Sequence, residues 1–412
     1  MPLLLAFVLL LFAYSLCSRR IERLAITAPM LFTLAGIALF TSIPDLPERE
    51  AGLDLMRVLS ELALVLLLFT DASRSDLGIL RQISELPVRL LSIGMLLTLC
   101  LGAVGALVLF DNLILWEAII LAAILSPTDA GLGQEIVTSK KIPARIRQAL
   151  SVEAGFNDGL AVPFLLFFMA LSEQAEGVAG FHLFQFIGEQ LGIGGLIGLA
   201  IGLGGAWLLD RAHRSQWMAK PLQQLAVVSL PLLCFLVCEE LGGSMFIAAF
   251  VAGLAAQTRY PGVGRHSSEF SEEWGQMLNL AVFFLFGMLV YDAWSRFSLM
   301  IWIYAVFSLT LVRLLPVAIA LIGTRLHPAT VLFIGWFGPR GLASIVLGLI
   351  YVQEIYGTIN PLIGQTVMAT VLLSIFAHGL STLSGIKRYA SQVAKLPSDA
   401  AEHRGAIRVG TP

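Results

Sequence analysis

The chain has 412 residues, of which 57% are hydrophobic and 13% charged, and its formal net charge is −2. A soluble domain needs about 25% charged residues to cover its surface, so a water-soluble fold is excluded and the lipid bilayer is the expected solvent. The absence of a basic excess excludes a nucleic-acid partner.

Apolar runs between polar punctuation give thirteen candidate membrane spans, against the roughly 20 residues that a spanning helix needs. They are 2–18, 26–43, 55–72, 86–110, 113–131, 148–172, 181–209, 221–240, 243–258, 273–291, 299–323, 328–353 and 361–386. The first run lacks a basic leader and is followed by Arg19, Arg20 and Arg23. It therefore reads as a first helix entering from outside rather than as a signal peptide. Connections after odd-numbered spans carry most of the Lys and Arg, for example Arg74, Arg81 and Arg89, then Lys140, Lys141, Arg145 and Arg147, then Arg259 and Arg265. The opposite connections hold only Arg49, Arg57 and Arg296. By the positive-inside rule the N-terminus is expected outside and the C-terminus in the cytoplasm, in a plasma membrane of the bacterial inner type. Cys17, Cys100, Cys234 and Cys238 sit in apolar runs with no His or further Cys to complete a metal set, and read as small buried hydrophobes.

Thirteen spans divide as six, one and six, which makes the two sixes antiparallel, the inverted-repeat plan of many secondary transporters. Interruptions fall at matching places. Span 5 contains Ser126-Pro127-Thr128-Asp129-Ala130-Gly131, and span 12 contains Gly335-Trp336-Phe337-Gly338-Pro339-Arg340-Gly341. Proline frees carbonyls from the helix ladder, and unpaired backbone at membrane depth survives only where it lines a polar cavity. Crossed, broken helices 5 and 12 are therefore expected, flanking an ion site. The linker span 7 places Gly194, Gly198 and Gly202 on one face, suited to close helix packing. No glycine pattern there fits a nucleotide, and no cofactor is implied. The tail after Lys387 is expected to be short and loosely ordered.

Charges inside a span cost several kcal/mol and need a partner or a purpose. Span 6 carries Ser151-Val152-Glu153-Ala154-Gly155-Phe156-Asn157-Asp158-Gly159, with Glu153 and Asn157 four apart on one face and Asp158 turned about 100° from Asn157. Asp129 and Arg340 come from the two interruptions. Glu153 and Arg340 are the expected neutralising pair, which leaves Asp158 free. A carboxylate taken out of water without a partner favours its protonated form. A small monovalent cation competes for the same oxygens, so one site couples cation to proton in exchange.

These residues resemble those of a known family. Glu-Ala-Gly-Phe-Asn-Asp-Gly at 153–159 is similar to the Glu-Ser-x-x-Asn-Asp-Gly signature of monovalent cation:proton antiporters, in their NhaP-like, sodium/proton exchanger branch. Thr128-Asp129 and Gly338-Pro339-Arg340-Gly341 resemble that family's two interruptions. The resemblance implies an all-α polytopic fold and an ion site of Asp158, Asp129 and the Thr128 backbone, with a structural Glu153–Arg340 pair. It also implies a homodimer. In this division 1–110 holds dimerisation helices and core span 4, and 111–172 holds core spans 5 and 6. A linker at 181–209 is followed by further dimerisation helices at 221–291, core spans at 299–386 and a cytoplasmic tail at 387–412. Ala154 departs from the signature Ser, so Ser151, Ser126, Thr128 or water must supply the missing oxygen, and the choice of Na⁺ over Li⁺ or K⁺ stays open. Asn157-Asp158 resembles the electroneutral branch, with one proton exchanged per cation.

Arg313 is expected to pair with an acid such as Glu61 or with helix-end carbonyls. Glu239 and Glu240 are expected at the outer interface, His378 as a packing residue rather than a pH sensor, and Glu61, Asp71 and Asn279 along an access funnel. The rival functions are an intramembrane aspartyl protease using two aspartates, a cation channel and an organic-anion carrier.

Overall fold

Away from water a chain of this composition satisfies its backbone within helices. A computed structural model describes residues 2–21, 26–42, 49–74, 85–129, 131–175, 188–260, 263, 274–354, 360–397 and 400–403, and every regular element among them is helical. Arg23, Arg81, Arg265, Arg404 and Arg408, which enter the charge bias, lie outside these residues, as do Ala130 and the first part of the seventh run, 181–187.

The helices are α1 (Pro2–Ile21), α2 (Ala28–Ser42), α3 (Arg49–Arg74), α4 (Glu85–Leu109, with a π turn at Leu90–Gly94), α5 (Leu115–Ile124), α6 (Gln134–Thr138) and α7 (Ala144–Ala175). They continue as α8 (Gly188–Arg214), α9 (Lys220–Leu241), α10 (Met245–Arg259), α11 (Gln276–Ala293), α12 (Leu299–Leu309), α13 (Leu311–Ala320), α14 (Pro328–Trp336), α15 (Leu342–Glu354) and α16 (Pro361–Val393). Eight helical stretches among the described residues, α12 and α13 counting as one, are long and apolar enough to cross a membrane, and α2, α5, α10 and α15 are shorter apolar helices. Spans 5 and 12 are each split, the first into α5 and α6, the second into α14 and α15. Both splits fall at the expected Pro-containing stretches.

Two sets of helices pack most closely among themselves: α2, α3 and α8–α11, and α4, α5, α7 and α12–α16. They meet where α3, α10 and α11 lie against α7, α15 and α16. Within the first set, the glycine stripe of α8 works as its spacing suggests. Gly194, Gly198 and Gly202 lie against the backbone of Ser244, Ala248 and Ala252, so closely that a Cβ at any of them would collide with a carbonyl oxygen. In a bilayer, where lipid is as apolar as leucine, such backbone-to-backbone approach is a main source of helix association.

The described residues of the tail, as far as His403, are more regular than its composition suggests. α16 runs seven residues past the expected end, and a turn at Ala401–His403 then folds back on the bundle. Buried Glu402 Oε1 accepts from the His327 N–H at 2.7 Å and the Thr330 hydroxyl at 2.8 Å, and the Tyr389 hydroxyl donates to Thr330 Oγ1 at 3.1 Å. The carboxylate thus sits at the N-terminus of α14, where orphan N–H groups and the helix dipole favour negative charge. The Arg145 guanidinium donates to the Ala401 carbonyl and pairs with Glu85 at 3.2 Å, while Arg89 donates to the Ile322 carbonyl at 2.8 Å past the end of α13. One polar layer therefore ties the tail to α4, α7, α13, α14 and α16.

Burial opposes charge on Glu402, but the N–H groups of His327 and Glu402, the Thr330 hydroxyl and nearby His327 hold its carboxyl below the usual range. A folded pKa below the unfolded one stabilises at high pH. The contribution is full above the ordinary glutamate value of about 4.3 and is lost as pH falls through the folded value. We expect Glu402→Ala to cost about 1–3 kcal/mol at neutral pH, because it orphans two donors. Thermal unfolding of the detergent-solubilised variant and wild type should differ at pH 7 and converge in strong acid.

Candidate cation site

The first interruption follows from Pro127. A residue-127 N–H would donate to the Ala123 carbonyl in a continued helix, and proline has none. The Ala123 carbonyl is taken instead by the Ser126 N–H at 3.3 Å and the Ser126 hydroxyl at 3.0 Å. The Ser126 and Pro127 carbonyls are left with no helical donor. At the second interruption α14 stops at Trp336, and Pro339 again lacks the donor that would carry the helix forward.

Each break is completed by the charged residue of the other. Arg340, fully buried, donates through Nη1 to the carbonyls of Ser126 at 2.8 Å and Pro127 at 2.9 Å. In return Asp129 Oδ2 accepts the Leu342 N–H at 2.6 Å, at the start of α15, while Oδ1 accepts from Gly131 at 2.7 Å and Leu132 at 3.2 Å. The Asp129 N–H donates to the Pro339 carbonyl at 2.8 Å, which stitches the two breaks together directly. The signs are those that helix dipoles require, a cation at the carbonyl end of α5 and an anion at the amide end of α15. Gly341 has to be glycine for this crossing, since a Cβ there would overlap the Asp129 carboxylate.

The expected Glu153–Arg340 pair is not formed. Glu153 binds Arg313 of α13 through two hydrogen bonds, Oε1 from Nη1 at 2.6 Å and Oε2 from Nη2 at 2.9 Å, with both side chains buried. The fork-on-fork geometry explains the preference, since one carboxylate has room for one bidentate guanidinium. Arg340 is drawn instead to the Ser126 and Pro127 carbonyls past the end of α5. Arg313 reaches Glu153 over Gly338, which has no side chain to block the guanidinium. Glu61, the acid proposed for Arg313, pairs with Arg57 at 3.0 Å one turn away on α3.

Three further expected residues gather on α7 and the first break. The Asn157 amide donates to Thr128 Oγ1 at 2.8 Å, which joins α7 to the break. Asn157 Oδ1 and Asp158 Oδ1 are both buried and have no hydrogen-bond partner. Asp158 feels repulsion from Asp129 and Asp71 and attraction from Arg340. Ser151 is not part of this cluster: it lies two turns, about 10 Å, along α7 from Asp158 and is exposed. The Ser126 hydroxyl donates back to the Ala123 carbonyl, and the Ser126 carbonyl accepts from Arg340. A small cavity of about 20 Å³ lies beside Thr128, Asp129, Ala154, Phe337 and Pro339, and there Ala154 presents a methyl where a serine would present a hydroxyl. Asp71 packs on Gly155, and Asn279 lies near Gly131. Glu239 and Glu240 are exposed at the end of α9; Cys234 and Cys238 are buried free thiols, whereas Cys17 and Cys100, also expected to be buried, are exposed on the bundle surface.

Sequence reasoning missed the partner of Glu153 and the fastening of the second break to α16 through Ser374 and His378. A signal existed for the first: Arg313 was the other arginine inside a span, and a buried arginine calls for a carboxylate or carbonyls.

Comparison with known proteins agrees with this architecture. A family model described as the transmembrane sodium/hydrogen exchanger matches residues 6–384, and the chain belongs to that family. Curated relatives include the K(+)/H(+) antiporters NhaP2 of Shewanella sp. strains MR-4 and MR-7, each 30% identical over 213 residues, 51% of this chain and 36% of theirs. The match thus takes in about a third of the length of those relatives. A Na(+)/H(+) antiporter of Schizosaccharomyces pombe is 26% identical over 316 residues, 67% of this chain and 65% of that one. Among solved structures, the sodium proton antiporter MjNhaP1 from Methanocaldococcus jannaschii at pH 8 has a TM-score of 0.72 and 19% identity, over 95% of this chain and all of that one. That likeness shows the fold.

The ion pair makes a discriminating prediction. Removing one partner of a buried pair strands a charge and costs about 3–5 kcal/mol, whereas replacing both with apolar groups is close to neutral. Arg313→Met should lower thermal stability steeply, and adding Glu153→Leu should restore most of it. Glu153→Leu should not rescue Arg340→Met, because the carbonyls of Ser126 and Pro127 stay uncapped. The reverse pattern of rescue would restore the Glu153–Arg340 assignment.

Proposed function

We propose that this chain is a secondary antiporter that exchanges a monovalent cation for a proton by alternating access, with both competing for Asp158. The observation that carries this reading is the unpartnered, buried Oδ1 of Asp158 beside the equally unpartnered Oδ1 of Asn157. Every other carboxylate of the cluster is engaged: Glu153 by Arg313 and Asp129 by three backbone N–H groups. A neutral Asp158 carries a proton. When a cation arrives, the O–H bond breaks, the proton leaves and the carboxylate oxygen takes the cation, so one positive charge replaces another. Exchange is then one for one and electroneutral.

Na⁺ is the cation we assign, since carboxylate, amide and hydroxyl oxygens are hard ligands. K⁺ is the second reading, favoured by the names of the Shewanella relatives and by the room beside Ala154. Thr128 contributes to the shell through its hydroxyl or carbonyl. Asp129 acts through the backbone it caps, and this tethering disfavours a two-aspartate protease. Our reading puts the N-terminus outside and the C-terminus in the cytoplasm of a bacterial inner membrane, supported by the Lys and Arg bias of the connections, and takes the protein as a homodimer, which the resemblance to cation:proton antiporters supports.

In proteoliposomes, Na⁺, Li⁺ and K⁺ added in turn should each be tested for cation-driven proton movement. We expect Asp158→Asn to lower the flux at least 100-fold for whichever cation drives it, because the amide neither titrates nor carries charge. Preserved flux would reject the site. Steady flux driven by membrane voltage alone would reject one-for-one exchange, and a large conductance without proton movement would identify a channel.

A further inference from the structure

The end of α14 and the start of the second break are fastened to α16 by side chains that ion exchange at Asp158 does not use. His378 Nε2 lies 2.9 Å from the Trp336 carbonyl, the last of α14. His378 Nδ1 lies 3.1 Å from Ser374 Oγ, one turn earlier on α16. Ser374 Oγ in turn accepts the Arg340 N–H at 2.7 Å. The Trp336 indole N–H donates to Ser381 Oγ at 3.0 Å, and the indole lies 5.2 Å from the imidazole. His378 and Ser374 are both buried.

We propose that His378 and Ser374 form a positioning pair that sets the shape of the second break, and through it the placement of the Arg340 guanidinium at the Ser126 and Pro127 carbonyls. One arrangement of protons satisfies all the groups at once. Nε2–H donates to the Trp336 carbonyl, Nδ1 accepts the Ser374 O–H, and Ser374 Oγ accepts the Arg340 N–H. This relay bridges the Trp336 carbonyl, which also accepts the Gly338 N–H at 3.0 Å, and the Arg340 N–H, two groups that would bond each other directly if the helix ran on through Phe337-Gly338-Pro339. Both ends belong to the same break, so a change in either His378 or Ser374 shifts the residue that caps α5. Neither side chain touches the ion. The competing arrangement is also defined: Nδ1 lies 3.0 Å from the Ser374 carbonyl, and a proton on Nδ1 would donate there and cut the relay.

The functional half of this inference rests on the Asp158 reading; the structural half does not, so two measurements separate them. In the full-length protein, ¹⁵N-imidazole spectra assigned with His378→Gln (H378Q) should show His378 protonated at Nε2 and bare at Nδ1. A proton on Nδ1 overturns the relay whatever the transport activity. In proteoliposomes, Ser374→Ala should raise the apparent KM for the driving cation about tenfold, the size of one lost hydrogen bond, with kcat within about twofold. Ser374→Thr keeps the hydroxyl and should keep the wild-type KM. Ser374→Ala with H378Q should raise KM no further than the larger single effect, because residues of one network are not additive. Additive effects, or a loss of stability with KM unchanged, overturn the positioning role and leave ordinary packing. Wild type without cation-driven proton flux would reject the Asp158 reading and leave the spectrum to decide the relay.

Discussion

Two helices broken in mid-bundle present four helix ends, and each end carries backbone groups that cost several kcal/mol to leave bare away from water. The exchange of caps between Asp129 and Arg340 answers this. The Arg340 guanidinium neutralises carbonyls at the end of α5, and the Asp129 carboxylate collects amides at the start of α15 as well as those of its own turn. Neither break is satisfied by its own residues. The crossing is therefore self-consistent only when both halves are in place, and the rest of the core is arranged around it.

That exchange decides what the remaining charges do. With Arg340 committed to carbonyls, Glu153 needs a different cation, and Arg313 supplies it from α13 across the glycine of the second break. With Asp129 committed to amides, it has little left to offer a ligand. Asp158 follows by difference. It stands within the fields of Asp129, Asp71 and Arg340, yet its Oδ1 is bonded to none of them. A group held in that state interacts with a small charge that comes and goes more readily than one locked in a pair, which is why the carboxylate count of the cluster matters less than which carboxylates are already in use.

The parts of this arrangement that were legible in the sequence are those set by local covalent chemistry. Pro127 and Pro339 each stand with glycine and a charged residue and mark the two breaks, whereas Pro163, Pro231 and Pro316 stay inside helices; Gly194, Gly198 and Gly202 repeat at the helix period, and Glu153, Asn157 and Asp158 must be buried if their span is buried. The parts that were not legible depend on which elements cross. Glu153 had two arginines within reach of a plausible bundle, and the choice between them turns on the bare Ser126 and Pro127 carbonyls past the end of α5 and on the gap at Gly338. Ser151 shares a face with Asp158 by spacing, but seven residues of helix put it about 10 Å away. Nothing local marks Glu402 as a cap, because its partners, His327 and Thr330, are more than seventy residues distant in sequence.

The half-helix α14 shows how the two ends of the bundle are joined. It has nine residues, about 13 Å of helix, too short to be stable alone. At one end His327 caps it, with Nδ1 accepting the Ala329 N–H at 3.2 Å, Pro328 fits its first turn, and Glu402 from the tail holds the His327 amide and the Thr330 hydroxyl. At the other end Trp336 is held to α16 by its carbonyl and its indole. Stacking of Phe333 on Tyr389, with ring centroids 4.1 Å apart, closes the side between them. A short rod fixed at both ends moves as a unit with α16 or not at all. The polar layer at the tail and the break beside Asp158 are thus two ends of one rigid connection, and α16, which supplies Ser374, His378, Ser381 and Tyr389 along a single face, is the element that carries it.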